Sequence, residues 1–133
     1  MANKTDLQNN VPESPIRTKS FLESVRYAFK GTGYAFKTER NFKIYLGLVV
    51  GFFIINLLVG VSLQGHIAFF ICALGAISAE MINTALEHIC NYLTTDLNEA
   101  IRRAKDLGAA AVLMWGFAFF PLEGVLLWLA LSN

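Results

Sequence analysis

Apolar residues dominate three long stretches of this chain, and short polar segments separate them. The stretches cover residues 44–63, 67 to about 89, and 107 to about 131. Each is long enough to cross a hydrocarbon core of about 30 Å, which takes about 20 helical residues. The pattern therefore predicts three transmembrane helices, with the connection between the first two at residues 64–66.

The segment before the first span has a different pattern. Residues 1–19 are polar, contain prolines and show no apolar period, which predicts a flexible N-terminal tail. From Ser20 onward, a capping-box pattern with Glu23 precedes apolar residues at near-helical spacing among arginines and lysines. We expect a basic amphipathic helix on the membrane surface, and residues 20–133 to form one membrane-embedded domain.

Composition and charge agree with an all-α integral membrane protein. The 133 residues are 55% hydrophobic and mean hydropathy is positive, which is too apolar for an ordinary soluble domain. All lysines and arginines lie before residue 44 or in the 91–106 loop. Because basic residues accumulate on cytoplasmic loops, the N-terminus is expected in the cytoplasm and the C-terminus outside. We expect no nucleic-acid partner.

A polar stripe interrupts the second apolar stretch. At 100° per residue, one side of a helix would carry Glu80, Asn83, Thr84, Glu87 and Asn91. A carboxylate near the centre of a spanning helix costs about 3 kcal/mol even on lenient insertion scales. Such residues usually face a cavity, a partner or a reactive site, so the stripe is a candidate functional site.

The residues around this stripe suggest phosphoryl transfer. Glu87 and Glu39 both lie at the predicted cytoplasmic edge, where two carboxylates and phosphate oxygens could hold Mg²⁺. Glu80 lies deeper, where it could bind a lipid hydroxyl and act as its general base. Lys105 could neutralise phosphate charge. The chain has no Walker loop and no protein-kinase motif set, so a kinase here would need another architecture.

Three segments, AEMINTALEHICN, KGTGYAFKTERNFKI and RAKDLGAAAVL, resemble signature regions of the prokaryotic diacylglycerol kinase and undecaprenol kinase family. The resemblance covers about residues 20–130, and ERNFKI is more similar to the Gram-positive undecaprenol kinase branch. It implies three spans with an N-terminal surface helix, and a homotrimer whose subunits share active sites. It also implies transfer of the ATP γ-phosphate, with Mg²⁺, to a membrane lipid alcohol. Undecaprenol is the expected acceptor, and diacylglycerol is the alternative.

The resemblance also assigns roles to matching positions. Glu80 resembles the family's catalytic base, and Asn83, which resembles the amide between the carboxylates, is the second catalytic candidate. Glu39 and Glu87 resemble carboxylates that hold the metal and contact ATP. The other positions that resemble ATP contacts are Tyr27, Asp96, Asn98, Lys105 and Asp106.

Asn91 departs from the family pattern, in which Asp is usual, and removes one negative charge. A kinase-derived membrane subunit without catalysis is therefore a second hypothesis. A third is a small transporter, since paired carboxylates in a short membrane helix can bind protons and cationic drugs. A transporter would need its carboxylate near the bilayer midplane, whereas Glu87 and Glu39 lie at the predicted cytoplasmic edge.

Residues outside the stripe receive structural interpretations. Glu123, near the outer end of the third stretch, is expected to reach the outer headgroups. Cys72 and Cys90 lie too far apart on one predicted helix to bridge each other, and we interpret both as packing residues. His88 points away from the stripe, which indicates a packing or interfacial role. A residue within 94–96 is expected to cap the third span.

Overall fold

The computed structural model of the chain describes residues 20–93 and 98–132, and these residues form four helices. The helices are α1 (Phe21–Thr38), α2 (Arg40–Val59), α3 (Leu63–Leu93) and α4 (Glu99–Leu131). The last three are long and apolar enough to cross a membrane. Within residues 20–93 and 98–132, the structure confirms the prediction of helices only, three of them able to cross a membrane, while the predicted tail lies outside the described residues.

The chain divides into two compact units, Met1–Gly33 and Tyr34–Asn133. The described part of the first unit is the beginning of α1. Ser20 caps this helix, because its Oγ accepts a hydrogen bond from the Glu23 backbone N–H at 3.2 Å. A side-chain oxygen in this position satisfies a backbone donor that the helix itself leaves unpaired, as the capping pattern predicted.

In the second unit, α3 packs mainly against α4, and α2 contacts both. The fully buried Phe69 ring on α3 lies 6.2 Å from the Phe53 ring and 5.7 Å from the Phe119 ring, measured between centroids. Aromatic pairs of this kind contribute about 0.5–1.5 kcal/mol beyond the burial of their area. Both cysteines are free thiols, with Cys90 buried and Cys72 partly buried, which agrees with their interpretation as packing residues.

The sequence pattern predicted the connection between α2 and α3 at residues 64–66, and this prediction is wrong. Gly60 ends α2 in a left-handed conformation with a φ of 76°, and its backbone N–H donates to the Asn56 carbonyl. Glycine adopts this conformation without the clash that a Cβ would cause. Ser62 then caps the start of α3, because its Oγ accepts from the Gly65 backbone N–H at 3.2 Å. The turn is therefore three residues long, and residues 64–66 belong to the first turn of α3.

Helix α4 begins at a different cap from the one predicted. Asn98 Oδ1 accepts hydrogen bonds from the backbone N–H groups of Ala100 at 2.9 Å and Ile101 at 3.3 Å. An asparagine side chain reaches the second and third helical residues well, which explains why the helix starts here. Residues 94–96, where the cap was expected, lie outside the described residues.

Glu123 does not face the outer headgroups, and that expectation is wrong. Its side chain is only 2% exposed, and Asn56 Nδ2 donates to its Oε2 at 3.2 Å. The helical position turns the carboxyl from α4 toward α2, where a polar partner is available. A polar partner inside the bundle is less costly for a carboxyl group than contact with lipid tails.

Candidate active site

Helix α3 carries the predicted polar stripe from the bundle interior to an exposed end. Glu80 is 3% exposed and Asn83 is 7% exposed, whereas Glu87 is exposed. Asn83 Nδ2 donates to Glu87 Oε1 at 3.3 Å, one helical turn away. The buried and exposed parts of the stripe are therefore joined by a hydrogen bond.

Helix α2 completes the surroundings of Glu80. The Asn41 side chain hydrogen-bonds the Glu80 carboxyl, and both Glu39 and Glu87 lie within electrostatic range of it. The structure thus brings together the three carboxylates that the sequence singled out. Asn41 is a site residue that the sequence pattern did not indicate, and its signal is an uncharged polar side chain three residues before the first apolar stretch. Like charges within electrostatic range repel each other, and a cation bound near them would offset that repulsion.

Glu39 occupies the position just before α2, and its side chain does not cap that helix. Its Oε1 instead accepts from Thr38 Oγ1 at 3.0 Å and lies 3.4 Å from His88 Nε2 on α3. The His88 ring also meets the Tyr34 ring edge to face, with centroids 5.9 Å apart. His88, for which the sequence indicates a packing or interfacial role, thus both packs against Tyr34 and makes a polar contact with Glu39. These contacts hold the Glu39 carboxyl close to the exposed end of the stripe.

The predicted metal ligands form a small set. Among residues 20–93 and 98–132, no group of three or more His, Cys, Asp or Glu side chains is arranged to hold a metal ion. Mg²⁺ usually keeps several waters and takes only one or two carboxylates together with substrate phosphates. The oxygen donors of Glu39 and Glu87, both near Glu80, fit that coordination chemistry.

Helix α4 approaches the stripe closely at Gly108. A methyl group built on this glycine would overlap Asn83 Oδ1 and lie 3.1 Å from Leu86 Cδ2. Small residues allow such close approach of membrane helices. Asn83 Oδ1 is buried and, within the described part of the chain, has no hydrogen-bond partner. A largely apolar groove of about 310 Å³ opens beside Asn83 between α3 and α4.

Lys105 on α4 is fixed by the end of α3. Its Nζ donates to Asn91 Oδ1 at 2.6 Å. Because the Asn91 amide is neutral, this contact orients the ammonium group without neutralising its charge. The residue that departs from the family pattern is thus the one that positions the predicted phosphate-binding lysine.

Asp106 belongs to a set of ion pairs on the exposed face of α4. Arg102 binds Asp106 at 3.1 Å and Glu99 at 2.8 Å, and Arg103 binds Glu99 at 3.0 Å. Exposed pairs of this kind contribute little to stability. The Asp106 carboxylate is therefore already engaged by Arg102, within its own helix.

The other predicted nucleotide contacts are spread over the chain. Tyr27 lies in the first unit, where Lys30 Nζ is 5.5 Å from the centroid of its ring. Asn98 uses its Oδ1 to cap α4. Asp96 lies outside the described residues. ATP binding by these three residues therefore stays a prediction.

Comparison with known proteins identifies the family. Residues 26–127 match the family model described as prokaryotic diacylglycerol kinase. The chain is 32% identical over 92 residues to an undecaprenol kinase of Bacillus subtilis, an alignment that covers 69% of this chain and 75% of that protein. It is 33% identical over 114 residues to a diacylglycerol kinase of a Synechocystis species, covering 81% of this chain and 62% of that protein. The chain belongs to the prokaryotic diacylglycerol kinase family, which is a family of lipid kinases.

Proposed function

We propose that this protein transfers the γ-phosphate of ATP to the hydroxyl of undecaprenol, giving undecaprenyl phosphate. The observation that carries the proposal is the buried Glu80 carboxyl, which Asn41 holds and which lies near Glu39 and Glu87. The relative named undecaprenol kinase supports this acceptor. Diacylglycerol is the second candidate, and the relative named diacylglycerol kinase supports it.

Glu80 acts as the general base in this reaction. It accepts the proton of the lipid hydroxyl while that oxygen forms a bond to the γ-phosphorus and the bond to the departing ADP oxygen breaks. A positioned base typically accelerates such a step by about 10²- to 10⁴-fold. The hydrogen bond from Asn41 orients the carboxyl, and the apolar groove beside Asn83 gives the hydrocarbon chain of the lipid a place to lie.

The exposed end of the stripe binds the nucleotide. Glu39 and Glu87 would hold Mg²⁺, which supplies positive charge against the phosphate oxygens when bound. The Thr38 hydroxyl and the Asn83 amide orient these two carboxylates. Lys105 contributes a further positive charge to the phosphates. The remaining proposed ATP contacts are Tyr27, Asp96, Asn98 and Asp106.

The proposal includes the arrangement of the protein in the membrane. The first helix lies on the cytoplasmic surface, and its exposed Phe21, Leu22 and Phe29 side chains can enter the lipid interface. The N-terminus lies in the cytoplasm and the C-terminus outside, which the distribution of basic residues supports. Three copies share their active sites, and the exposure of Glu87 in a single chain supports such sharing because it leaves one side of the site uncovered.

Transfer of radiolabelled γ-phosphate from MgATP by the purified, detergent-solubilised protein tests this function. Undecaprenol and diacylglycerol are offered separately and then in competition. We expect transfer to undecaprenol and a loss of about 10²- to 10⁴-fold in Glu80→Gln, with ATP binding retained. Glu123→Gln is the matched control, since it makes the same change in a buried carboxyl that the proposal does not use.

Each other outcome changes the proposal in a defined way. Preference for diacylglycerol would keep the chemistry and replace the acceptor. Wild-type transfer rates in Glu80→Gln would remove the base assignment. If the folded protein transfers phosphate to neither lipid, two further measurements separate the alternatives. Activity gained by Asn91→Asp would favour a non-catalytic subunit. ATP-independent substrate uptake by proteoliposomes would favour a transporter.

A further inference from the structure

A second buried polar cluster lies beside the turn between α2 and α3, and each spanning helix contributes one side chain to it. These side chains are Asn56 from α2, His66 from α3 and Glu123 from α4. Asn56 is fully buried, and its Nδ2 donates to Glu123 Oε2 at 3.2 Å. His66 lies within electrostatic range of Glu123. The proposed phosphoryl transfer uses none of these three residues.

The unpartnered atoms of this cluster are all hydrogen-bond acceptors. Within residues 20–93 and 98–132, the buried atoms Asn56 Oδ1, Glu123 Oε1 and His66 Nε2 have no partner. His66 Nδ1 lies 3.0 Å from the Ser62 carbonyl oxygen, which can only accept, so Nδ1 carries the hydrogen of the neutral ring. Its Nε2 then presents a lone pair. An ionised carboxylate, an amide oxygen and this lone pair cannot bond to one another.

A cluster of acceptors with a buried negative charge is unfavourable in this position. A buried polar atom without a partner is destabilising, and a charge within a membrane bundle is more so. A single proton removes the buried charge and also supplies one donor, because the hydroxyl of a neutral carboxylic acid can donate to one of the two other acceptors. Keeping the acid and the imidazole neutral also avoids the desolvation of two separate charges.

We propose that Asn56, His66 and Glu123 form a proton-binding site that ties the three spanning helices together. The proton resides on Glu123 Oε1, and the resulting hydroxyl donates to Asn56 Oδ1 or His66 Nε2. His66 is only partly buried, so its ring provides a route for exchange with bulk water. Among the described residues, His66 is the titratable group that acts on Glu123, and α2 contributes only the neutral Asn56.

Infrared spectroscopy of the full chain in lipid bilayers tests the protonation directly. The difference between the spectra of wild type and Glu123→Gln removes the contributions of all other carboxyl groups, including Glu80. We expect the difference to contain the carbonyl band of a protonated carboxylic acid, shifted on deuterium exchange. Carboxylate bands alone would overturn the proposal. Stoichiometric binding of added Zn²⁺ or Mn²⁺ that Glu123→Gln abolishes would overturn it too, because the acceptors would then be metal ligands.

Thermal denaturation provides a second readout that does not involve phosphate transfer, so it is independent of the proposed kinase activity. In Glu123→Gln the amide group retains hydrogen donors, and we expect an unchanged denaturation midpoint. Glu123→Leu has no donor and should lower the midpoint. Alkaline pH should lower the denaturation midpoint of the wild-type protein, because loss of the proton leaves a buried negative charge. The midpoint of Glu123→Gln should not change in this way, because its side chain has no ionisable proton to lose. A midpoint for Glu123→Gln as low as that of Glu123→Leu would contradict the proposal.

Discussion

Gly108→Ala is a small change that should separate activity from folding. The added methyl group would overlap Asn83 Oδ1 and lie 3.1 Å from Leu86 Cδ2. Asn83 must therefore move, and because it donates to Glu87 at 3.3 Å, the Glu87 carboxyl moves with it. The substitution thus disturbs two proposed active-site groups from a helix that carries neither of them.

Two opposing effects set the change in stability. Overpacking a closely packed position costs about 1–3 kcal/mol. Alanine is favoured over glycine inside a helix by about 1 kcal/mol. The expected loss in the free energy of unfolding is therefore about 0–2 kcal/mol, which most folded proteins tolerate. Activity should respond more strongly, since a displacement of about 1 Å at a reacting centre can reduce the rate by about 10²-fold.

The initial rate of γ-phosphate transfer to undecaprenol and the thermal denaturation midpoint are measured on the same preparations. Gly116→Ala is the matched control, because it lies on the same helix and nothing stands within 4 Å of an added Cβ. We expect Gly116→Ala to keep the wild-type rate and Gly108→Ala to fall by about 10²-fold. Equal rates in the two variants would refute the reasoning that Asn83 is held in place by contact with α4.

Further substitutions test other contacts. Asn91→Asp would place a negative charge next to Lys105 and should raise the KM for ATP by up to about fivefold; an unchanged KM would show that the charge of Lys105 does not act on the nucleotide. Glu39→Gln and Glu87→Gln should each raise the Mg²⁺ concentration needed for half-maximal transfer, and unaltered Mg²⁺ titrations would remove them as ligands. Gly60→Ala should destabilise the bundle by about 1–2 kcal/mol, because residue 60 has a left-handed backbone conformation that a Cβ disfavours. An unchanged denaturation midpoint would contradict this expected loss of stability.

The features that the sequence predicted correctly are local in the chain. The three spans depend on runs of apolar residues, and the polar stripe depends on helical periodicity within one helix. The hydrogen bond from Asn83 to Glu87 follows from that periodicity, since residues four apart face each other on a helix. The cap formed by Ser20 is likewise a contact between near neighbours.

The features that the sequence did not predict depend on contacts between helices. Gly60 and Gly65 are both turn signals, and the choice between them is decided by packing, since a Cβ at Gly65 would clash with Val61 and Leu126 side chains. Gly65 is therefore needed inside α3, and Gly60 supplies the turn. The sequence pattern puts Glu123 at the headgroups and does not reveal its partner Asn56, which is 67 residues away in the chain. Periodicity within α4 alone contains no information about that partner.

The short turn between α2 and α3 has a consequence for biogenesis. Its three residues carry no charge, so almost nothing hydrophilic has to pass through the hydrocarbon layer when the flanking helices are inserted. We expect α2 and α3 to enter the bilayer together as a helical hairpin soon after synthesis. A charged peptide placed within this turn should slow membrane integration of the nascent chain even where the mature fold would tolerate it.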